Sequence, residues 1–538
     1  MTTSWKPSVG YGDYVEAVHA IGIDVGSSNV KVVIVDENST IVSSASRPLR
    51  TDHAADAGSQ VPAVTQDPAA LWTAVADAIR ETTSQAPLAS RDVKAIGVCS
   101  QYSSLVGVDA GGSAVSDLVM YMDTRGTDRC LAIMEAHPDA FELFVERHGI
   151  PPIGSGLSLS HLLHFQHDQP EVHERTSSYL EAMDFVNLRL TGRAAATQAT
   201  MFASQLCDNR TVGVTEYDRD LVDRAGVDPS RLPDLIEIDG TVGEVDPHVA
   251  ADLGLPPGVV VRSGMNDTQA GAFATGVLRR PHGSPQDGRV QDGRVQGIMI
   301  GTTAVIIDAA EGHSVDLEHE VLSMPSPIPG RHLVMAENGI AGRAVEHFLG
   351  LLYPDMTDGG FDDLSDALDR SAPGASGVIF LPWLAGSMSP SANATMRGGL
   401  LNMSLTTRRE DLFRAAVEGT AFNLAWLAPA VGELSGNTPE RIVFGGGAAR
   451  SAGWAQVLAD VLGTPVSVLD RPEFAAATAV ATVALLREAG EDPLEMEMPV
   501  GNGHLPEPSV HRYYQSVQPQ FEAAFESTRS ICEALGHE

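Results

Sequence analysis

Two short stretches of the chain place a glycine and a pair of hydroxyls between two apolar runs. Ile23-Asp24-Val25-Gly26-Ser27-Ser28 leads into Val30-Lys31-Val32-Val33-Ile34, and Ile298-Met299-Ile300-Gly301-Thr302-Thr303 leads into Ala304-Val305-Ile306-Ile307. Glycine lets backbone approach an anion, while hydroxyls and N–H groups donate to it. Two such turns facing one another would clamp a polyphosphate, although either alone also reads as an ordinary hairpin turn. Asp24 ends the first apolar strand, where a carboxylate is costly to bury unless it is paired or coordinates a metal. It reads either as a Mg²⁺ ligand or as a turn cap. A third feature is Gly445-Gly446-Gly447, which follows the apolar run Ile442-Val443-Phe444 and precedes a helix. Three glycines in a row lose much conformational entropy, which points to close backbone approach to a nucleotide base and ribose.

The elements that must hold these residues follow from periodicity and turn chemistry. Residues 20–26, 30–36 and 40–44 read as three strands joined by tight turns. Asp67 offers an N-cap, Pro68 a first helical residue, and Leu71, Val75 and Ile79 an apolar helix stripe. Val93 to Cys99 is the next strand, residues 130–235 are mostly helix and polar loop, and 257–263 is a further strand. The second turn then restarts the same alternation. A helix capped by Thr407 with Glu410 three residues on, strand 441–444 and a helix from Ser451 to Leu462 closed by Gly463 continue it. Two α/β domains meeting near residues 265 to 275 are expected. The tandem Asp287-Gly288-Arg289-Val290-Gln291 and Asp292-Gly293-Arg294-Val295-Gln296 reads as a surface insertion, removable from Gly283 to Gln296.

Composition limits the function classes. The 538 residues hold 35 Lys+Arg against 70 Asp+Glu, a net charge of −35. That excess repels nucleic-acid backbones and anionic membranes, and no basic cluster interrupts it. A nucleotide carrying Mg²⁺ and held by backbone N–H groups is not excluded. The hydrophobic share of 43% is that of a globular chain, long enough for two large domains. Cys99, Cys130, Cys207 and Cys532 lie far apart, as expected of reduced cytoplasmic thiols. The first twenty residues lack an apolar signal segment, and the longest apolar run, Phe474 to Leu486, is shorter than the about 18–20 residues a membrane span needs. GxxxxGK[ST] and GxGxxG motifs are absent. His161, His164 and His167 have metal-like spacing that more often marks a helix face.

In this order the motifs resemble the FGGY family of carbohydrate kinases, of the actin-like ATPase fold, and look most like its xylulokinase-type members, over about residues 20 to 490. The resemblance implies an α/β fold with two actin-like ATPase (ribonuclease H-like) domains and a cleft between them. Residues 1–272 would carry the first phosphate loop and the sugar site, and 273–538 the second loop and the adenosine site. It implies ATP contacts at Gly26, Ser27, Ser28 and Lys31, at Gly301, Thr302 and Thr303, and at Gly445, Gly446, Gly447, Ala448 and Ser451, with Mg²⁺ at Asp24. Asp267, in Gly264-Met265-Asn266-Asp267-Thr268, would be the general base; on spacing alone it reads equally as an N-cap. Tyr121-Met122-Asp123-Thr124-Arg125 resembles a sugar-contacting turn, whose Asp123 and Arg125 would form a fork for adjacent hydroxyls. Gln101 and Tyr102 occupy the second sugar motif, which departs from both xylulokinase and glycerol kinase patterns. Ser387 and Met388 replace a more usual Glu-Arg and carry no assigned role. The implied reaction is phosphorylation of a small sugar or polyol, a ketopentose such as xylulose, by MgATP. The rival is a nucleotide-switched ATPase of actin or chaperone type without a small acceptor. No nucleic-acid or membrane partner is expected, and a homodimer is left open.

Overall fold

The computed structural model describes residues 18–54, 63–85, 93–154, 156–279, 294–353, 364–393 and 395–535. Strands β1 (His19–Val25), β2 (Asn29–Val35) and β3 (Ile41–Pro48) run antiparallel in succession, their β-branched runs separated only by tight turns. Helix α1 (Pro68–Gln85) then carries the chain across to β4 (Val93–Ser100), which lies parallel to β1. The sheet is completed by β5 (Thr241–Glu244), β6 (Val260–Arg262) and the short β7 (Met265–Asn266), in the order β5-β6-β4-β1-β2-β3 with β7 beside β4. Helix α2 (Asp267–Thr275) follows at once.

The C-terminal sheet repeats this plan. It comprises β8 (Val295–Ile300), β9 (Ala304–Ala310), β10 (Leu322–Pro325), β11 (His332–Asn338), β12 (Arg441–Gly445), β13 (Val466–Leu469) and β14 (Val500–His504), in the order β10-β11-β9-β8-β12-β13-β14. Within the two sheets, β3-β2-β1-β4-β6 and β11-β9-β8-β12-β13 are equivalent paths, three antiparallel strands followed by two parallel ones. This is the ribonuclease H-like unit occurring twice, as expected. Helices α3 (Gly342–Leu352), α4 (Arg409–Ser435) and α5 (Ala452–Leu462) belong to the second half, and α6 (Ala475–Ala489) follows them in the chain.

The halves exchange helices. Helix α6, late in the chain, lies on the N-terminal sheet, where Ala477, Ala481, Ala484 and Leu485 share a buried cluster with Ala20, Val33, Val35 and Ala95. Contact is so close that a Cβ on Gly22 would stand 1.8 Å from the Ala477 carbonyl, and one on Gly97 2.2 Å from that of Val480. Helix α2 in turn packs on the C-terminal sheet, with Gly271 against Met299 and Gly297 against Thr275. The boundary expected after residue 272 falls inside α2, and a division between the two sheets leaves each of these helices packed on the other half's sheet. The apolar run from Phe474 is therefore a core helix, apolar all round because it is covered all round. No helix among the described residues is long and apolar enough to cross a membrane.

Two local expectations need correction. The α4 cap falls one residue later than expected: Arg408 is the N-cap and the Asp411 carboxylate accepts from its N–H at 3.0 Å, while the Thr407 hydroxyl accepts from Ser404. The insertion does not extend to Gln296. Residues 280–293 lie outside the described residues, but Val295 and Gln296 belong to β8, and Gln296 is buried. Removing them would shorten a central strand.

Candidate active site

The first turn spans Gly26 to Asn29, between the paired residues Val25 and Val30, and is closed by the Gly26 N–H donating to the Asn29 carbonyl at 3.0 Å. Its outer side is held by the N-terminal half: the Ser27 carbonyl accepts from Gln66 Nε2 at 2.8 Å and the Ser28 carbonyl from the Leu49 N–H at 2.8 Å. Asp24 and Lys31 are cross-strand partners, Nζ lying 3.8 Å from Oδ2, and their side chains are 13% and 30% exposed. Burial raises the Asp24 carboxyl, with Lys31 and the Cys99 thiol pulling the other way. Since Lys31 and Cys99 both stand at 3.8 Å, the carboxylate keeps lone pairs for a cation. A Mg²⁺ ion, which takes one or two carboxylates and completes its shell with water and phosphate, fits such a group.

The second turn is one residue shorter, Gly301 to Thr303 between Ile300 and Ala304, with the Gly301 N–H donating to the Thr303 carbonyl at 2.9 Å. Gly301 has no positive φ, and a Cβ placed on it would meet nothing within 4 Å. Neither backbone conformation nor packing demands glycine here, so the open space is fit for a ligand's close approach. Behind the turn the packing is tight: a Cβ on Gly342, at the start of α3, would fall 1.9 Å from the Gly301 carbonyl. The next residue, Arg343, donates its N–H to the Thr302 carbonyl at 3.2 Å.

Asp267 stands between the turns. Asn266, not Asp267, caps α2: its side chain accepts from the Gln269 N–H at 2.7 Å, and Gln269 reciprocates at 2.9 Å. Asp267 is thereby the first helical residue, its Oδ1 accepting from the Thr268 N–H at 2.9 Å and its carboxylate otherwise directed to the cleft. The surrounding protein, and then the charges of Asp24 and Glu337, push its carboxyl up to about 7. Because the side chain is exposed to cleft water, solvent screens part of that shift.

Glu337 carries no sequence motif and was not expected here. It lies on β11 opposite Val305 of β9, which places it beside Thr303, whose hydroxyl bonds to it. Across the cleft the Tyr102 hydroxyl approaches Oε2 at 3.5 Å. Burial pushes the Glu337 carboxyl to about 7, against the hydrogen bonds from Thr303 and Tyr102. Tyr121 bonds to Ser27 of the first turn and feels both Glu337 and Arg343, so residues of both halves meet in one cleft. Register along β11 was the only signal that could have found Glu337.

The remaining expected site residues divide. Gln101 is buried, its Oε1 and the nearby Ser103 and Ser104 hydroxyls lacking hydrogen-bond partners among the described residues. Asp123 and Arg125 do not form an open fork. They are a buried pair, 1% and 7% exposed, with Asp123 accepting from the Val64 and Arg125 N–H groups and from the guanidinium. Burial would raise the Asp123 carboxyl, but these donors outweigh it and hold it below its usual value. In the triglycine segment, a Cβ on Gly445 would meet Met299 Sδ at 2.6 Å, and Gly446, at φ 86°, packs on the Ile300 backbone. Those two glycines are therefore demanded by the protein itself. Ala448 and Ser451 are fully buried, and the Ser451 hydroxyl caps α5 by accepting from the Trp454 N–H at 3.3 Å. Gly447 is half-buried. His161 and His164 are buried on the helix Ser158–Asp168, His164 bonding to Asp168 at 3.1 Å, and no group of three metal-ligating side chains occurs among the described residues.

Comparison with known proteins gives a consistent picture. The model of the N-terminal domain of the FGGY family of carbohydrate kinases matches residues 19–274, and that of the C-terminal domain matches residues 298–485. Xylulose kinase of Bacillus subtilis strain 168 is 26% identical over 457 residues, covering 85% of each chain. Among solved structures, a ligand-bound xylulose kinase from Lactobacillus acidophilus superposes with a TM-score of 0.81 at 18% identity, covering 96% of this chain and 100% of that one. A gluconate kinase from the same organism gives 0.80 at 19% identity, covering 97% and 100%. At these identities the structures show a shared fold.

Proposed function

This chain belongs to the FGGY family of carbohydrate kinases, and from that premise we propose that it transfers the terminal phosphate of ATP to a ketopentose such as D-xylulose. The observation that carries the reading is Asp267, released from capping by Asn266 and turned into a cleft lined by both glycine turns. Its carboxylate accepts the proton of the acceptor hydroxyl as that oxygen forms its bond to phosphorus, while the bond to ADP breaks and ADP keeps the electron pair. A base with a pKa near the working pH suits that step. Phosphoryl transfer otherwise needs positioning and charge stabilisation, which the two turns provide through N–H and hydroxyl donors. Asp24 is the residue that would hold Mg²⁺, directly or through its waters. The ion would neutralise phosphate charge.

Tyr102, whose hydroxyl meets Glu337 across the cleft, and the adjacent Gln101 support a neutral polyol as acceptor, with Asp123 and Arg125 a buried pair nearby. The gluconate kinase likeness raises a sugar acid as a second reading. A carboxylate acceptor needs a facing cation; beside the expected sugar residues the Arg125 guanidinium is already bonded to Asp123, and Arg343 stands at the second phosphate turn instead. A nucleotide switch without acceptor leaves Asp267, free of the cap and turned to the cleft, with no hydroxyl proton to accept. The test is a panel of D-xylulose, other pentuloses and pentitols, glycerol and gluconate at fixed MgATP, read by ADP release. The highest kcat/KM is expected for a pentulose or pentitol; glycerol or gluconate ahead by tenfold would overturn the substrate assignment.

A further inference from the structure

Cations are scarce in this chain, with 35 against 70 acidic residues, so a cation placed at the cleft is informative. Lys31, beside the first turn, is tied to Asp24 at 3.8 Å. Arg343, beside the second, is exposed and makes no ion pair among the described residues. Its backbone is anchored: the N–H donates to the Thr302 carbonyl, and the preceding Gly342 packs directly on Gly301. Its guanidinium lies near enough to the Tyr121 phenol to act on it electrostatically, and Tyr121 bonds to Ser27 of the first turn. Glu346, the following acid on α3, also feels Arg343 without pairing to it. An exposed cation is thus anchored through its backbone to the second turn and acts electrostatically on a tyrosine that bonds to the first.

We propose that Arg343 binds the terminal phosphate of ATP and stays on it through transfer. This rests on the kinase reading above. A planar guanidinium presents paired donors to phosphate oxygens. In a site lined by Asp24, Asp267 and Glu337, it would offset carboxylate repulsion toward an incoming triphosphate. During transfer the phosphorus loses its bond to the departing ADP oxygen, which retains the electron pair. It gains a bond to the acceptor oxygen, whose proton passes to Asp267. Arg343 changes none of these bonds and supplies charge to the oxygens around phosphorus.

The terminal phosphate distinguishes ATP from ADP, so the test is the affinity ratio of the two. Equilibrium binding of the magnesium complexes of the β,γ-imido ATP analogue and of ADP would be measured by calorimetry, in the absence of sugar, for wild type, Arg343→Gln and Arg343→Lys. Loss of one charge-assisted bidentate contact predicts about a 10- to 100-fold fall in analogue affinity for Arg343→Gln, with ADP affinity held within about twofold and Arg343→Lys intermediate. Equal falls for both nucleotides, or no change in either, overturn the proposal. Because Arg343 is exposed, its loss leaves no cavity, and an unchanged melting curve would establish that the variants are folded. Should the wild type release no ADP with any polyol while Arg343→Gln still loses its preference for the ATP analogue, the acceptor assignment fails and Arg343 stands. If the wild type binds neither nucleotide, both fail.

Discussion

The two glycine turns occupy equivalent positions in the two sheets yet obtain their charge in opposite ways. The first turn carries charge on its own strands, Asp24 against Lys31, and the nearby Asp123 and Arg125 are likewise bonded to each other. At the second turn the position equivalent to Asp24 is Met299, and the strands themselves are apolar. Charge there comes from the next elements, Glu337 on β11 and Arg343 at the start of α3, and neither forms an ion pair among the described residues. A charge already paired is preorganised and stiffens its surroundings. An unpaired charge at a cleft is left for the ligand. The first turn thus presents charges held in place before a ligand arrives, with Asp24 still open to a cation, and the second presents charges that a ligand would pair.

The largest effect should come from breaking a finished pair. Asp123→Ala removes the carboxylate that pairs with the buried Arg125 guanidinium and accepts from the Val64 N–H, a loss expected to destabilise by about 3–5 kcal/mol. Denaturant unfolding would measure it; a loss under 1 kcal/mol would show that the pair is not structural. Next is Asp267, which serves both turns. Asp267→Asn is expected to lower kcat by about 10²-fold or more with ATP affinity nearly unchanged. Near-normal kcat in the folded variant removes it from the reaction.

A smaller effect separates the open turn from its support. Gly301→Ala meets no protein atom, so stability should stay within about 0.5 kcal/mol while ATP binds about tenfold more weakly. Gly342→Ala, which strikes the Gly301 carbonyl, should instead lose about 1–3 kcal/mol of stability. Equal behaviour of the two variants would contradict the idea that only Gly301 faces a ligand.

The smallest concerns how closed the N-terminal half is. His148 donates its Nε2–H to the Phe202 carbonyl, 2.8 Å away, and stacks on the Phe202 ring; burial lowers its pKa from 6.5 to about 3. The folded state therefore refuses a proton that the unfolded chain accepts, so stability falls as pH drops below 6.5 toward 3. At pH 5.5 this amounts to about 1 kcal/mol, and His148→Gln should abolish that part of the acid loss when the two stability–pH curves are subtracted. Parallel curves would show that His148 is not shut away.

Much of this was legible in sequence wherever the determinant was local. The strand–glycine–hydroxyl turns, the Asp67 and Ser451 caps and the Gly463 stop each need only a few neighbouring residues. Asp267 could not be resolved between cap and base, because Asn266 competes for the same cap and only the geometry shows which wins. The Asp123–Arg125 spacing is the same for an open fork as for a buried pair, and strand residue Val64, distant in sequence, decides between them. Glu337 and Arg343 have no motif: their importance comes from β9–β11 pairing and from the approach of α3 to Gly301. The crossing of α2 and α6 was equally invisible, since an apolar Ala-rich helix does not say which sheet it will cover.

That crossing bears on how the molecule can be taken apart. Severed between α2 and β8, the N-terminal fragment would expose the glycine and alanine furrow that α6 fills, and the C-terminal fragment would expose the strip of β8 that α2 covers. Each piece would be a torso missing a limb held by the other. Produced singly they should clump, whereas produced together in one cell they should dock as a self-complementing split protein, with no engineered tag to bring them together.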